Sequence, residues 1–376
     1  MNGTLRAGAV RLRDGLATSM VPLAMLIAVS VLDLATGRDT VFFPFLILCP
    51  ALAAVSGSPR SVLVFGVLVL PLRYALADYD NQVASVGAEY FQTNTGVFIA
   101  ATVICAWVAV LRIRRERMLA AVTSVALAAQ EALLPPLPER VGNLRVGMRY
   151  FGAAAEARIG GDLYAAVETP YGTRVLIGDV SGNGLGAVRT AAVVLGGYRE
   201  AAQDEPDLVG VARRVESSLR RSTPGEKFTT AVFVEVREHD LALLHRGHVS
   251  PIRVTAEGVM ELDAPEPGLP LGLGELAQTG TEHPACWTVP FAPGDVLVLM
   301  TDGVTEARDA HGEFYPLAER VHQLLAPWPQ GDQRTERDLD AAAERIGRDL
   351  LRHVGGDRLD DDAVVLLITR DDGDAA

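Results

Sequence analysis

Thr229-Thr-Ala-Val-Phe-Val-Glu-Val236 is followed by Leu241-Ala-Leu-Leu244 and then by Pro251-Ile-Arg-Val254. Each run is short, apolar and rich in residues that suit a pleated, buried strand. The gaps between them hold only a few residues, whereas a parallel crossover needs about a dozen or more. The spacing therefore predicts antiparallel pairing and argues against a doubly wound sheet. Towards the N-terminus, Arg145-Val-Gly-Met-Arg-Tyr150, Leu163-Tyr-Ala-Ala-Val167 and Arg174-Val-Leu-Ile-Gly-Asp179 also read as strands. Residues 185–202 and 207–221 read as helices, the second carrying Leu208, Val211, Ala212, Val215 and Leu219 on one face. Towards the C-terminus come a strand at Asp295-Val-Leu-Val-Leu-Met300, a helix at 336–354 and a last strand at Ala363-Val-Val-Leu-Leu-Ile-Thr369. The class is α+β.

Ahead of this domain the chain is far more apolar. Stretches at 18–36, 40–57, 61–77 and 96–111 approach the length of about 17–25 residues that spans a bilayer, with Pro44, Pro50 and Pro71 inside the middle two. They predict a four-span helical membrane region over 1–112. Arg6, Arg11 and Arg13 precede it, Arg60 lies between the second and third stretches, and Arg112, Arg114, Arg115 and Arg117 follow the fourth. Asp78 to Asn94 holds no lysine or arginine, so the positive-inside rule puts both ends in the cytoplasm, with Arg38 and Arg73 as minor exceptions. Asp33 is the acid within a span to check against a transporter reading.

Residues 113–136 read as a linker helix. Leu119, Val122, Val125 (or Ala126), Ala129 and Ala132 (or Leu133) form a short heptad-like seam, which suits either packing on the chain's own domain or a parallel homodimer. Pro135-Pro136-Leu-Pro138 ends the helix and opens a domain over 137–372.

A net charge of −13 argues against nucleic acid, which needs a basic face. Cys49, Cys105 and Cys286 show no zinc-like spacing and suit a reducing compartment for the C-terminal bulk. Cys286 is followed six residues later by Ala292 rather than arginine, which argues against a thiol phosphatase, and Ser181 lacks a nucleophile-elbow context. Ile177-Gly-Asp-Val-Ser-Gly-Asn-Gly184 has a strand–glycine–helix layout, but not the spacing of a dinucleotide fingerprint. What stands out is four aspartates, Asp162, Asp179, Asp302 and Asp361, each where an apolar run meets glycine or another acid. Together they suggest oxygen ligands for hard cations, joined by the Val180 carbonyl, and a metal-activated water attacking a phosphate ester. Asp361 and Asp362 should face opposite ways, because side chains alternate along a strand.

Leu133-Leu-Pro-Pro-Leu-Pro138, Ile159-Gly-Gly-Asp-Leu-Tyr164, Ile177-Gly-Asp-Val-Ser-Gly182, Phe228-Thr-Thr230, Gly247-His248, Leu269-Pro-Leu-Gly272, Pro293-Gly-Asp-Val-Leu297, Thr301-Asp-Gly-Val-Thr-Glu-Ala307 and Asp361-Asp-Ala-Val364 occur in this order. The series resembles a SpoIIE-type member of the PPM metal-dependent serine/threonine protein phosphatases, over about 127–370. The resemblance implies an αββα sandwich of two antiparallel sheets flanked by helices, with two manganese or magnesium ions at one edge. It implies Asp179 as the bridging ligand, the Val180 carbonyl on one metal, Asp302 and Asp361 on the other, and Asp162 holding metal-bound water or the first metal. It also implies a phosphoprotein substrate, an anti-sigma-factor antagonist in a partner-switching pathway. It does not cover the membrane region, and the apolar stretches with their flanking arginines are what predict the cytoplasmic membrane.

Three positions depart from the family's usual pattern. Asn183 stands where a histidine is usual, His245-Arg-Gly-His248 replaces Asn-Ala-Gly-His, and Ala165 replaces an acid. His248 reads as a hydrogen-bonded loop histidine or a catalytic one, and Glu306 as a helix-start acid or a group near metal waters. The reading is thus a membrane-anchored phosphatase, with a catalytically weak, phosphatase-like binding module as the alternative.

Overall fold

The computed structural model describes residues 20–37, 40–80, 88–152, 160–222, 227–266, 268–274, 286–325, 337–356 and 359–370. Arg6, Arg11, Arg13, Arg38 and Ile159 lie outside the described residues. The chain divides into two compact units, Met1–Ala121 and Val122–Ala376.

Among the described residues of the first unit, the expected four spans are corrected to two. Helix α3 (Pro59–Tyr79) and helix α4 (Ala88–Leu133) contain the segments long and apolar enough to cross a membrane. The first apolar stretch forms helix α1 (Met20–Thr36), and the second a 3-10 turn (Phe43–Ile47) that continues as α2 (Leu48–Ser56). At about 1.5 Å per residue, helices of this size extend about 20–25 Å, against a hydrocarbon core of about 30 Å. Pro44 opens the 3-10 turn, Pro50 lies in the first turn of α2, and Gly57 caps its end, so the second stretch cannot run as one long helix. Pro71, by contrast, sits inside α3 without ending it. Asp33 is buried, and its carboxylate accepts a hydrogen bond of 2.5 Å from the Phe42 backbone N–H. It ties the end of α1 to the following turn, a local structural role.

The second unit holds eleven strands among its described residues: β1 (Arg140–Val141), β2 (Leu144–Phe151), β3 (Asp162–Thr169), β4 (Gly172–Val180), β5 (Thr229–Val236), β6 (Asp240–Arg246), β7 (Ile252–Val254), β8 (Val259–Glu261), β9 (Trp287–Pro290), β10 (Val296–Met300) and β11 (Ala363–Arg370). They form two antiparallel sheets, ordered β1-β2-β11-β10-β7-β8 and β3-β4-β5-β6-β9. Helices α5 (Leu185–Asp204) and α6 (Leu208–Ser222) cover the five-stranded sheet. Helices α8 (Leu317–Leu325) and α9 (Arg337–Val354) cover the six-stranded one, and α7 (Asp302–Thr305) is a single turn after β10. This is the expected αββα sandwich.

Strand period decides which residues fill which layer. Leu297, Leu299, Val364, Leu366 and Ile368 enter the core shared with the other sheet. Their neighbours Val296, Val298, Met300, Ala363, Val365 and Leu367 enter the core beneath α8 and α9. Both faces of β10 and β11 are thus dry, which explains why these runs are continuously apolar rather than alternating. The fully buried Arg174 pairs with Glu235 at 2.6 Å on the adjacent strand and donates to the Ala202 and Glu205 carbonyls, fastening the end of α5 to the sheet.

Candidate metal centre

The site is built where the ends of β3 and β4 meet the ends of β10 and β11. Asp162 lies directly opposite Asp179 in the β3–β4 register. Directly opposed residues of an antiparallel pair point to the same face, so pairing alone brings these carboxylates together. A methyl placed on Gly161 would stand 2.5 Å from Asp179 Oδ1 and closer still to the Val180 carbonyl oxygen. Both oxygens therefore lean over the same position, and only a residue without a side chain leaves them room. Side chains at Gly160 and Gly303 would likewise collide with Asp362, the first with its carboxylate and the second with its carbonyl.

Thr301 joins the two sheets at this point. Its hydroxyl donates to Asp162 Oδ2 at 2.9 Å and accepts from the Val364 N–H at 2.9 Å, with both residues buried. Asp302, the first residue of α7, and the exposed Asp361 line an open cleft of about 200 Å³ that they share with Glu306 and Asp360. The buried acid of the final pair is Asp362, beside Asp162 and Tyr150. The alternation expected of Asp361 and Asp362 is present, although both residues precede β11 rather than open it.

Electrostatics set these acids against one another. Burial, then the charges of Asp302, Asp361 and Asp362, push the Asp179 carboxyl up to about 7. Asp162 is raised well above the usual range by burial, with Asp179 the next cause; Asp302 is raised by burial, then by Glu306 and Asp361. Among the described residues none of Asp162, Asp179, Asp302 and Asp361 is ion-paired to lysine or arginine. Carboxylates without cationic partners, next to a carbonyl in a cradle that a methyl would fill, form a donor set suited to hard divalent ions. Among the described residues no three His, Cys, Asp or Glu side chains close tightly enough to enclose a single ion. The carboxylates are assembled but spread.

His248 is buried, and its Nδ1 lies 2.9 Å from the Thr230 hydroxyl, which lies 3.4 Å from the Asp179 carbonyl oxygen. Burial, with His245 beside it, pushes the ring down to about 3, so it is a neutral partner for Thr230. Asn183 is exposed in a loop whose Gly182 and Gly184 have φ of 82° and 78°. Lys227, the chain's only lysine, donates to the Ser181 carbonyl of that loop at 2.9 Å. Tyr150 accepts from Gln130 Nε2 at 3.0 Å, and burial, then Asp362 and Asp162, raise its phenol. Thr301, Asp362 and Tyr150 also belong to the site; the sequence shows Thr301 and Asp362 inside motifs but not their contacts, which cross between strands distant in sequence.

A sandwich of two antiparallel sheets flanked by helices, with aspartates gathered at one edge, is a fold of the PP2C kind. The SpoIIE family, described as Stage II sporulation protein E, matches residues 169–371, more than half of the chain, and the chain belongs to it. Among solved structures, the chain is similar to the SiaA-PP2C domain of Pseudomonas aeruginosa, with 19% identity, a TM-score of 0.54 and coverage of 68% of this chain and 98% of that one. At that identity the likeness establishes the fold. The RsbU and RsbW domains of Rv1364c from Mycobacterium tuberculosis are 22% identical, with a TM-score of 0.49; the match covers 61% of this chain and 60% of that one. The catalytic domain of the serine/threonine protein phosphatase PstP, solved with two manganese ions, is 17% identical, with a TM-score of 0.42 and coverage of 60% and 97%. No curated protein matches the chain.

Proposed function

We propose that this chain is a membrane-anchored, Mn²⁺- or Mg²⁺-dependent phosphatase that removes phosphate from phosphoserine or phosphothreonine in a protein. The observation that carries this reading is the approach of Asp179 Oδ1 and the Val180 carbonyl over Gly161, opposite Asp162, where among the described residues none of Asp162, Asp179, Asp302 and Asp361 is ion-paired to lysine or arginine. Asp179 would bridge two ions, with Asp162 and the Val180 carbonyl on one side and Asp302 and Asp361 on the other. The chemistry such a pair supplies when bound is an acidified water and neutralised charge on the phosphoryl oxygens. Thr301 fixes Asp162 by hydrogen bonding, and Gly160, Gly161 and Gly303 keep the acids close. Asn183 carries no group that ionises near neutral pH, so its side chain would supply no general acid for the leaving seryl oxygen.

Family membership supports a signalling phosphoprotein as substrate, and the SpoIIE likeness an anti-sigma-factor antagonist. Two helices long and apolar enough to cross a membrane support anchoring, and the arginines at 60 and 112–117 a cytoplasmic catalytic unit at the inner membrane. Leu119, Val122 and Val125 are exposed along α4 and suit a homodimer seam. The alternative, a weak phosphatase-like binding module, draws on the spread of the carboxylates. One experiment separates them: the full chain in detergent micelles with manganese and a phosphoserine protein, compared with Asp179→Asn and Asp302→Asn. Absence of metal-dependent turnover in the wild type rejects the enzyme, and undiminished turnover in both variants rejects the site.

A further inference from the structure

The cleft beside Asp302 and Asp361 presents a charge problem. Four carboxylates, Asp302, Glu306, Asp360 and Asp361, line it, and the dianion of a phosphate monoester must enter there. Cations held by Asp302 and Asp361 would offset part of that repulsion, and Glu306 and Asp360 would remain as acids of the cleft. Among the described residues that line it, one is basic: Arg308.

Arg308 is held ready for such a ligand. It is exposed, its guanidinium lies 4.1 Å from the Phe314 ring centroid, and its Nη1 lies 3.5 Å from the Gly312 carbonyl. Among the described residues it pairs with no carboxylate, although four line the same cleft. The backbone beneath it is a pinned hairpin. Arg308 and Phe314 face each other in an isolated bridge, and the Tyr315 N–H donates to the Ala307 carbonyl at 2.9 Å. Asp309 Oδ1 accepts from the His311 and Glu313 N–H groups at 2.8 and 2.9 Å, which fixes the turn. Stacking engages the face of the guanidinium and leaves edge N–H groups for a ligand. A guanidinium edge matches phosphate oxygens in shape and charge, and its planar fork costs little ordering when the partner arrives.

We propose that Arg308 is a substrate-binding residue that takes non-bridging oxygens of the phosphoseryl or phosphothreonyl phosphate as it enters the cleft. The proposal rests on the phosphatase reading for its substrate class, but the binding site it describes can be measured without turnover. With the full chain in detergent micelles and saturating manganese, the probes are an aryl phosphate, a phosphoserine protein and inorganic phosphate as inhibitor. Arg308→Ala should raise KM for both substrates and Ki for inorganic phosphate by about tenfold to a hundredfold, the worth of a charge-assisted hydrogen bond. The manganese midpoint and the melting temperature should stay as in the wild type, and kcat should fall far less than kcat/KM, because the contact exists already in the bound ground state. Arg308→Lys, which keeps the charge and loses the fork, should recover part of the affinity. Unchanged KM and Ki in Arg308→Ala overturn the proposal, and so does a KM change confined to the phosphoprotein, which would make Arg308 a reader of the polypeptide. If the wild type shows no turnover, the phosphatase reading falls, and calorimetry of inorganic phosphate binding to the manganese-loaded chain still decides Arg308. Binding weakened tenfold or more by Arg308→Ala supports it, and equal binding rejects it.

Discussion

Gly161→Ala tests the geometry of the centre with one added carbon. Gly161 does not occupy the left-handed region, so alanine brings no backbone strain of its own. Its methyl, however, would stand 2.5 Å from Asp179 Oδ1 and 3.0 Å from the Val180 nitrogen, and still nearer to the Val180 carbonyl oxygen. Ordinary carbon–oxygen contacts are about 3.3–3.6 Å, so Asp179 Oδ1 must retreat by about 0.8 Å or more. Metal ligation tolerates roughly ±0.2 Å. A displacement of about 1 Å at a reacting centre can cost about 10²-fold in rate, so kcat/KM should fall by about a hundredfold, with a higher manganese midpoint. Overpacking a close contact costs about 1–3 kcal/mol, equivalent to a fall of about 2–12 °C in the melting temperature of a domain this size. The measurements are manganese titrations of aryl phosphate turnover and thermal melts in chelator, on the full chain in micelles. Gly196→Ala is the matched control: nothing lies within 4 Å of its added methyl on α5, so turnover should hold and stability should rise slightly. A wild-type manganese midpoint and kcat/KM in Gly161→Ala would refute the placement of Asp179 and Val180 at the centre.

Thr301→Val removes the hydroxyl that serves both Asp162 and the Val364 N–H, and should cost about 1–3 kcal/mol for each buried group left unsatisfied; an unchanged chelator melt rejects the link between the sheets. Arg174→Met removes one of the two arginines on buried Glu235, leaving Arg237 at 2.7 Å, and should lower stability by about 1–3 kcal/mol while the manganese midpoint of the folded protein stays put. Manganese should raise the melting temperature of the wild type and much less that of Asp179→Asn, while chelator abolishes turnover; equal stabilisation of both proteins places the ions elsewhere. Asp361→Asn should raise the manganese midpoint more than Asp362→Asn does, because Asp361 shares the open cleft with Asp302 whereas Asp362 is buried beside Tyr150. The reverse order would exchange their roles.

The strands were legible because burial on both faces leaves runs that hardly any other element produces. Val296 to Met300 and Ala363 to Ile368 are apolar throughout for that reason, and the runs at 229–236 and 241–244 of the other sheet had no room for a crossover helix between them. Helix α8 is amphipathic over only nine residues, too short for its period to stand out from the loops around it. The membrane region misled for the opposite reason. A window of hydropathy counts apolar residues without asking whether one helix can contain them, and the second stretch is a 3-10 turn begun at Pro44 and a short helix that has Pro50 in its first turn and stops at Gly57.

At the centre, sequence indicated which acids were unusual, and pairing settles how they meet. Asp162 and Asp179 each look like a turn acid until the β3–β4 register sets them side by side. Repulsion then works against the fold itself: burial and neighbouring acids hold Asp179 near 7 and raise Asp162 and Asp302 above their usual range. A chain selected for stability alone would replace some of these residues with amides or pair them with arginine, as it pairs Arg174 with Glu235 and Arg253 with Asp295. Glycines at 160, 161 and 303 instead bring the acids closer than any other residue would allow. Structure that increases like-charge contact at one edge, while neutralising charge elsewhere, is accounted for by a positively charged ligand bound at that edge.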